Sequence, residues 1–464
     1  MPPWPIFVHC AEGSELVLRH ALHNNVMNET TTKIFPYLER LLDGEEVEWK
    51  TLGEVCDYIR GITYSKTAET TDSCGWKVLR ANNITLETRT LNFDEVKRVK
   101  RATRIRENQM LYRGDILICA GSGSKDHIGK TAYIDHNMDC TFGGFMGVLR
   151  VTEENTISSK FLFHYIGSGA FINYLKTTLK SSTINNLNAG IINPFPIPIP
   201  PLRVQARIVE ILDKFTQLEA ELEAELEARR KQYAYYRDQL LKFSQYPPLN
   251  VNIEWRTLGE VMEIVTDFTA AGSFASNAQN VRYLQEPNYA LLVRTTDIKQ
   301  GFKSTEKFIY VDQHAFEYLW RVNLDKECII LPNVGNCGEV YHSSPIILPY
   351  KNCVLGPNAI LVRSEKASNK FLYYLFQAEY FQKELAKITS NAGQGKFNKT
   401  NLKQIKLPLP PLSEQRRIVD ILDRFDTLTN SISEGLPKEI ALRRKQYAYY
   451  RDALLSFPRP EVSA

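Results

Sequence analysis

Apolar residues between positions 202 and 243 recur at spacings of three and four, with charged residues between them. The recurring residues are Ile208, Ile211, Leu212, Phe215, Leu218, Leu222 and Leu226. This period places them on one face of a helix, so the sequence predicts one long amphipathic helix from Leu202 to Phe243. Proline does not continue a helix but suits its entry, and Pro200 and Pro201 stand immediately before this one. At 1.5 Å per residue the helix would be about 60 Å long, which exceeds a single domain.

A second apolar stripe with the same period follows about 210 residues later. Its members are Ile418, Ile421, Leu422, Phe425, Leu428, Ile432, Leu436 and Ile440. Two antiparallel helices would bury both stripes against each other. Gly435 and Pro437 predict a kink near the middle of the second helix.

The two helices belong to a tandem duplication of most of the chain. Three segments recur in the same order: 47–55 at 253–261, 197–202 at 407–412, and 229–238, letter for letter, at 443–452. The stretches 56–196 and 262–406 match each other far less. The two copies therefore share these repeated segments, which we call the frame, and differ in the stretches between them.

Composition narrows the class of protein only slightly. A net charge of +4 on 464 residues permits a nucleic-acid partner without arguing for one. The eight cysteines form no CxxC pair, which is typical of reduced thiols. With no apolar run of about 18 residues and no signal-peptide pattern, we expect a cytoplasmic protein that does not contact a membrane.

Motifs for catalysis are missing from the sequence. Adenine methyltransferases hold the base with an Asn/Asp/Ser-Pro-Pro-aromatic loop, whereas the proline pairs at 200–201, 247–248 and 410–411 are each followed by leucine. A Pro-Asp start of a PD-type nuclease is also missing, and the segment 121–131 only partly matches a P-loop, because Ser124 stands where the first glycine belongs. We therefore expect a non-catalytic chain rather than a stand-alone methyltransferase.

Two features of the helices allow more than one interpretation. The Leu-Glu-Ala-Glu units from Leu218 form either an adjustable spacer or a solvated acidic face. The repeated Arg-Arg-Lys-Gln-Tyr-Ala-Tyr-Tyr-Arg-Asp block resembles a DNA-binding signature, but cations are favoured at helix ends and its tyrosines share a packing face. We favour scaffold and partner docking for its residues Arg229, Tyr233, Tyr236, Arg443, Tyr447 and Tyr450.

The order of these segments resembles the specificity subunits of type I restriction–modification systems, over nearly the whole chain. The closest resemblance is to the type IC subclass, through residues 47–55, the Leu-Glu-Ala-Glu units and residues 427–437. It implies an α+β fold in which two mixed α/β target-recognition domains are separated by two long antiparallel helices, with pseudo-two-fold symmetry. The implied segments are an N-terminal extension and short helix (1–46), the first domain (47–196), a central helix (197–244), the second domain (245–406), a C-terminal helix (407–457) and a tail (458–464).

The resemblance also implies a function and partners. Each domain would recognise one half of an asymmetric bipartite site on double-stranded DNA, and the helices would set a spacer of very roughly six base pairs. The helices would dock two modification subunits, which methylate adenine N6 with S-adenosylmethionine, and up to two restriction subunits would join, using ATP and Mg²⁺ for cleavage. The chain itself would bind no cofactor or metal. The alternative of a helical adaptor without DNA binding stays open.

Only the N-terminus departs from this family pattern. Lys33 to Glu46 resembles the family's short N-terminal helix, whereas residues 1–26 have no counterpart. Either Met27 is the start of the protein or the segment is a genuine extension.

Base recognition requires polar side chains on loops, so the candidates lie in the divergent stretches. In the first domain they are Arg80, Asn82, Ser122, Ser124, Lys125, Lys130, Lys180, Ser182, Thr183 and Asn186. In the second domain they are Arg294, Thr296, Asn333, Asn336, Gln394, Lys396 and Asn398. Each residue alone equally suits a solvated turn. The basic strip from Lys97 to Arg106 is either phosphate-facing or simply solvated.

Overall fold

A computed structural model describes residues 35–122, 127–180, 186–243, 252–390, 393–431 and 434–458. The question of where the protein starts concerns residues 1–26 and lies outside this range. The chain forms two compact units. The first consists of Met1–Leu218 and Arg444–Ala464, and the second of Glu219–Arg443. The first unit thus includes the end of the second repeat, and the second unit includes the end of the first repeat. The predicted segments are each continuous in sequence, and their boundaries stay predictions.

The first unit is a mixed α/β structure. Its helices are α1 (Pro36–Leu42), α2 (Leu52–Val55), α3 (Ser159–Ile166), α4 (Gly169–Lys180) and α5 (Ala189–Ile192), with 3-10 turns at Lys66–Ala68, Ala81–Asn83 and Glu107–Gln109. Its strands are β1 (Glu48–Thr51), β2 (Cys56–Arg60), β3 (Trp76–Leu79), β4 (Lys97–Val99), β5 (Met110–Leu111), β6 (Ile116–Cys119), β7 (Thr131–Tyr133), β8 (Met138–Phe142), β9 (Met146–Val151) and β10 (Pro196–Ile199). They form sheets β2-β9-β6-β7 and β4-β3-β8-β5 and the pair β1-β10.

The second unit repeats this plan. Its helices are α7 (Leu258–Val261), α8 (Phe274–Asn280), α9 (Thr295–Lys299), α10 (Gln313–Tyr318), α11 (Asn369–Gln377), α12 (Glu379–Ile388) and α13 (Lys399–Leu402), with 3-10 turns at Phe268–Ala271, Thr305–Lys307 and Trp320–Val322. Its strands are β11 (Glu254–Thr257), β12 (Ile264–Asp267), β13 (Ala290–Val293), β14 (Tyr310–Val311), β15 (Cys328–Pro332), β16 (Tyr341–Ser343), β17 (Cys353–Leu355), β18 (Ala359–Arg363) and β19 (Lys406–Leu409). They form sheets β12-β18-β15-β16 and β14-β13-β17 and the pair β11-β19.

Strand pairing confirms the duplication and the mixed α/β fold. The sheet order β2-β9-β6-β7 of the first unit returns as β12-β18-β15-β16 in the second. Each unit also contains one parallel pair, β3 with β8 and β13 with β17, among otherwise antiparallel neighbours. The divergent stretches of the sequence therefore fold alike even where their residues differ.

The long helices follow the two domains. Helix α6 (Leu202–Leu240) is continuous over 39 residues, slightly shorter than predicted. In the second copy the structure has two helices, α14 (Leu412–Asn430) and α15 (Gly435–Leu454), where a single kinked helix was predicted. Gly435 has a φ of +75°, and a Cβ there would lie 2.5 Å from the carbonyl oxygen of Thr427. A left-handed residue cannot continue a helix, so the predicted kink is a break.

Within the first unit, the start of α6 packs against the end of α15. The ring of Phe215 stacks on Tyr450 with centroids 5.5 Å apart. Further along the chain, the carbonyl of Pro458 accepts a hydrogen bond from Trp49 Nε1 at 2.9 Å, and Trp49 pairs with Pro198 in the strand before α6. Pro198 precedes Phe215 in the α6 segment, whereas its neighbour Pro458 follows Tyr450 in the C-terminal segment. The two segments are therefore antiparallel.

The second unit contains the equivalent packing. The ring of Phe425 stacks on Tyr233 and Tyr236, with centroids 6.3 Å and 5.9 Å apart. These tyrosines belong to the repeated basic block, and their equivalents in the other block pack on Phe215. In the first unit, the basic block of the second repeat thus packs on the first half of α6. In the second unit, the basic block of the first repeat packs on α14.

A buried glutamine joins the first domain to the start of α6. The side-chain amide nitrogen of Gln205 donates to the carbonyls of Thr156 at 2.9 Å and Pro200 at 2.8 Å. Its Oε1 accepts from the backbone N–H of Ser158, the N-cap residue of α3, at 2.8 Å. One fully buried side chain therefore ties a domain loop, a domain helix and the proline entry together. We call this the glutamine bridge.

The second unit has the same bridge at Gln415. Its Oε1 accepts from the N–H of Ser368, the N-cap residue of α11, at 3.0 Å. Its amide nitrogen donates to the carbonyl of Pro410 at 2.9 Å. The bridge is thus a feature of the shared frame.

Helix α3 contacts the α6 frame through a buried histidine. His164 is 1 % exposed, and its Nε2 lies 2.8 Å from Asp213 Oδ1. Its Nδ1 lies 3.3 Å from the hydroxyl of Tyr447. In the second unit Tyr374 takes this position and donates its hydroxyl proton to Asp423. Burial lowers the pKa of His164 despite the hydrogen bond to Asp213.

Replacing either bridging glutamine with methionine is expected to destabilise its unit, because a backbone N–H and one or two carbonyls then lose their buried partners. We expect a loss of about 2–4 kcal/mol for Gln205→Met and somewhat less for Gln415→Met, which has fewer hydrogen bonds to lose. Thermal unfolding measures the effect, with the exposed Gln300→Met as control. Equal midpoints for all three variants would contradict the role of the bridge.

The first unit is expected to lose stability in mild acid. Burial lowers the pKa of His164 in the folded protein, whereas in the unfolded chain the imidazole takes up a proton below about pH 6.5. Since the unfolded state then binds more protons, stability falls as the pH drops below that value towards the lower folded pKa. His164→Tyr copies the second unit and should flatten this dependence in melting curves between pH 8 and 5.5. An unchanged slope would show that His164 is not its source.

Candidate nucleic-acid interface

In the first unit, three loops meet at one edge of the domain. They follow β3, follow β6, and join β8 to β9. The backbone N–H of Gly143 donates to the carbonyl of Leu79 at 3.0 Å, and those of Ala120 and Gly121 donate to the carbonyl of Phe145 at 2.8 Å and 2.9 Å. We call this set of loops, residues 80–83, 120–122 and 143–145, the first loop edge.

Two candidates from other parts of the sequence join the first loop edge. Asn186 forms a β-bridge with Gly121. The Nζ of Lys130 donates to the carbonyl of Ala81 at 3.2 Å. The structure therefore brings Arg80, Asn82, Ser122, Lys130 and Asn186 into one surface, although more than 100 positions separate the first from the last.

The second unit has a matching set of loops, residues 294–297, 333–336 and 356–358. The N–H of Gly356 donates to the carbonyl of Val293 at 2.8 Å, and that of Asn333 to the carbonyl of Asn358 at 3.1 Å. We call this the second loop edge. Lys396 joins it through a β-bridge to Val334, as Asn186 joins the first.

The remaining candidates of the second domain differ in how free their side chains are. The side chains of Thr296, Asn336, Gln394 and Lys396 are exposed. Asn398 caps α13, because its Oδ1 accepts from the backbone N–H of Asn401 at 2.8 Å. Asn333 is half-buried and donates its side-chain amide to the carbonyl of Phe397 at 3.3 Å.

Four candidates, Ser124, Lys125, Ser182 and Thr183, lie outside the described residues, as does the side chain of Lys180 at the end of α4. The assignment of DNA contacts to individual residues stays a prediction throughout. The basic strip is partly engaged within its own domain, since Lys97 pairs with Glu69 at 2.7 Å and Arg101 with Asp139 at 3.0 Å.

Sequence reasoning missed Phe145 at the tip of the first loop edge. Its side chain is 68 % exposed. A Cβ added at Gly121 would come within 3.0 Å of the Phe145 ring and 2.2 Å of Asn186 Oδ1, so the three residues are close neighbours. An exposed aromatic ring among polar loops offers a surface for a base. The signal was present, because Gly143 and Gly144 between two apolar runs are typical of a hairpin tip.

The repeated basic blocks divide into two faces. Tyr233 is buried, and Arg229 pairs with Glu225 one turn earlier at 2.7 Å. Arg443 likewise lies 3.6 Å from Glu439. In contrast, Tyr235 and Tyr449, at the same place in the two blocks, are 61 % and 63 % exposed. These two tyrosines were not predicted, although each follows by two residues a tyrosine that packs on the other repeat's helix, Tyr233 or Tyr447, and so has a helical phase away from the packed face.

Sites for other chemistry do not emerge from the described part of the chain. There, no cluster of three or more histidine, cysteine or acidic side chains is placed to hold a metal ion. Seven cysteines in those ranges are free thiols. None of the helices in those ranges has the length and apolar character needed to cross a membrane.

Comparison with known proteins identifies the class to which this duplicated fold belongs. Residues 44–228 and residues 250–442 each match the family described as the type I restriction modification DNA specificity domain. The chain belongs to this family and contains two copies of its domain. The more detailed assignment to the type IC subclass stays a prediction.

Relatives match over most of the chain. The chain is 30 % identical over 440 residues to the specificity subunit of the type I restriction enzyme EcoR124I/EcoR124II of Escherichia coli, covering 92 % of this chain and 98 % of that protein. A putative type I restriction enzyme specificity subunit of Haemophilus influenzae is also 30 % identical, over 91 % of this chain and 98 % of its own. A chain solved in work on complex assembly and conformational transition of the type I R-M system shares the fold, with a TM-score of 0.54, 20 % identity, and coverage of 89 % and 97 %.

Proposed function

We propose that this chain is the DNA specificity subunit of a type I restriction–modification complex. The observation that carries the proposal is the pair of matching loop edges, one in each copy of the family's specificity domain. The full-length relatives support it, since they are named as type I specificity subunits.

Each loop edge supplies the chemistry that recognition of a base sequence requires. Backbone hydrogen bonds hold the loops, so their polar side chains are presented from a fixed surface. The first edge carries Arg80, Lys130 and Asn186, and the second carries Asn333 and Lys396. Because donors and acceptors differ between the edges, the two half-sites differ in sequence.

The long helix α6 connects the two recognition domains. It runs without a break through the Leu-Glu-Ala-Glu units, and the division between the compact units falls at Leu218, where these units begin. We propose that their number sets the spacer between the half-sites, at very roughly six base pairs. Each added unit lengthens the helix by about 6 Å.

The catalytic steps belong to partner subunits in this proposal. The chain lacks the methyltransferase and nuclease motifs, so two modification subunits supply S-adenosylmethionine-dependent adenine methylation. Up to two restriction subunits supply ATP- and Mg²⁺-dependent cleavage. The exposed faces of the basic blocks, around Tyr235 and Tyr449, serve as two equivalent docking surfaces for the modification subunits. The complex is cytoplasmic.

The full chain assembled with its modification subunit is expected to methylate one asymmetric split sequence. Mapping of methylated adenines in a host genome with and without the gene identifies both half-sites and the spacer. Inserting one Leu-Glu-Ala-Glu unit should lengthen the spacer by about one to two base pairs and leave both half-sites unchanged, because the loop edges are untouched. A complex that assembles but shows no sequence selectivity would instead support a helical adaptor.

Removal of the exposed tyrosines is expected to release the modification subunits one at a time. Tyr235→Ala and Tyr449→Ala should each leave complexes with one modification subunit, and the double variant should leave none, because each block forms one docking surface. Native mass spectrometry counts the subunits. The exposed Tyr283→Ala in the second domain is the control and should keep both. Full occupancy in the double variant would contradict the docking assignment.

A further inference from the structure

Two arginines at equivalent positions, Arg80 after β3 and Arg294 after β13, have different surroundings. In both cases the backbone N–H donates to a side-chain oxygen three residues later, Asn83 Oδ1 at 3.0 Å and Asp297 Oδ2 at 2.9 Å. Both turns therefore begin with the same kind of backbone-to-side-chain hydrogen bond, although the first is a 3-10 turn (Ala81–Asn83) and the second is helix α9 (Thr295–Lys299). The acceptor of that bond is a neutral amide in the first unit and a carboxylate in the second.

Arg294 is held by that carboxylate. Its Nε and Nη2 donate to the two oxygens of Asp297 at 2.9 Å and 2.6 Å, and Nη2 also donates to the carbonyl of Lys307 at 2.8 Å. Asp297 is only 4 % exposed. A guanidinium in a bidentate pair with a buried carboxylate has its strongest binding face occupied, so Arg294 is not available to a further acceptor on that face.

Arg80 has no such partner. The amide of Asn83 is already used, because its Nδ2 donates to the carbonyls of Asn92 and Glu95 at 3.2 Å and 3.3 Å. The Nε of Arg80 is buried without an acceptor. A buried donor without an acceptor is unusual in a folded protein, and a turn of this side chain towards a ligand would supply the missing acceptor.

A second cation lies beside Arg80. The Nζ of Lys130 is bound to the carbonyl of the next residue, Ala81, at 3.2 Å. Glu69 is a nearby acid, but it pairs with Lys97 at 2.7 Å, and this bond, more than Arg80, lowers the pKa of Glu69. Among the described residues, neither Arg80 nor Lys130 of the first loop edge forms a salt bridge with a carboxylate, although Glu69 lies close enough to interact with the charge of Arg80.

The corresponding turn of the second unit has the opposite character. Between β15 and β16 it carries no cation but contains Glu339, which pairs with Lys299 at 2.6 Å. This turn is thus acidic and internally paired in the second unit, and the cation of the second loop edge, Lys396, comes from another loop. An anion would therefore be attracted to the turn beside Arg80 and not to its counterpart between β15 and β16.

We propose that Arg80 donates directly to an acceptor of bound duplex DNA in the first half-site, whereas Arg294 is a positioning residue that holds the turn at α9. This inference rests on the proposed function. The acceptor is an oxygen or nitrogen of the DNA, and a phosphate and a guanine edge share the chemistry that a guanidinium recognises.

The test compares Arg80→Met with Arg294→Met in the full chain assembled with its modification subunit. Binding to a duplex that carries the mapped site and to a random duplex is measured over a range of salt concentrations. Arg80→Met should weaken binding to the site by at least about tenfold and leave the melting temperature unchanged. Arg294→Met should lower the melting temperature and change the affinity of the folded complex by less than about twofold.

Arg80→Lys separates the two possible acceptors and keeps the charge if the methionine variant folds poorly. If Arg80→Lys restores the affinity for both duplexes, the acceptor is a phosphate. The slope of log affinity against log salt concentration should then be about one unit smaller in Arg80→Met than in the parent. Restored affinity for the random duplex with relaxed selectivity at one base pair indicates a base edge. Binding by Arg80→Met within twofold of the parent overturns the inference, as does an equal loss in a fully folded Arg294→Met. If the parent complex shows no selectivity, the proposed function itself fails.

Discussion

The glutamine bridge is the contact on which the relation between each recognition domain and its helix depends. Gln205 and Gln415 are buried, and their amides satisfy backbone groups that would otherwise be buried without partners. An apolar side chain could fill the space but could not make these hydrogen bonds. Because the partners are backbone atoms, the bridge places no demand on neighbouring side chains. The divergent loops could therefore change while the orientation of domain on helix stayed the same.

The exchange of repeat ends explains why the basic blocks stayed identical. The end of α15 completes the first unit and the end of the first repeat completes the second, through Phe215 on Tyr450 and Phe425 on Tyr236. Each block must therefore fit the other copy's helix start as well as its own domain. The ring contact that one block makes has an equivalent in the other unit, so the two blocks meet the same packing requirement. Their exposed faces, at Tyr235 and Tyr449, are repeated as a consequence.

Sequence patterns predicted the frame better than the site. The 3.6-residue period located α6 to within three residues, and the repeats predicted the duplication, because both depend on local spacing. The break at Gly435 was predicted only as a kink, since the left-handed φ depends on how the flanking helices pack. Equivalent positions such as Arg80 and Arg294 could be found by aligning the halves. The different partners of these two arginines could not be found in this way, because the partner of a guanidinium depends on three-dimensional contacts. The Arg-x-x-Asp spacing of Arg294 and Asp297 was nevertheless a signal of their ion pair.

The two loop edges show how a duplicated fold acquires two specificities at little structural cost. The backbone hydrogen bonds that bring the loops together, such as those from Gly143 and Gly356, are the same in both units. A change from amide to carboxylate at one position, Asn83 to Asp297, redirects an arginine and keeps the backbone hydrogen bond that begins the turn, since both side chains accept from the N–H of the equivalent arginine. The arginine side chain is then either available to a ligand or bound within its own domain. Specificity can thus change through side chains that stabilise or release their neighbours, as well as through those that contact the DNA.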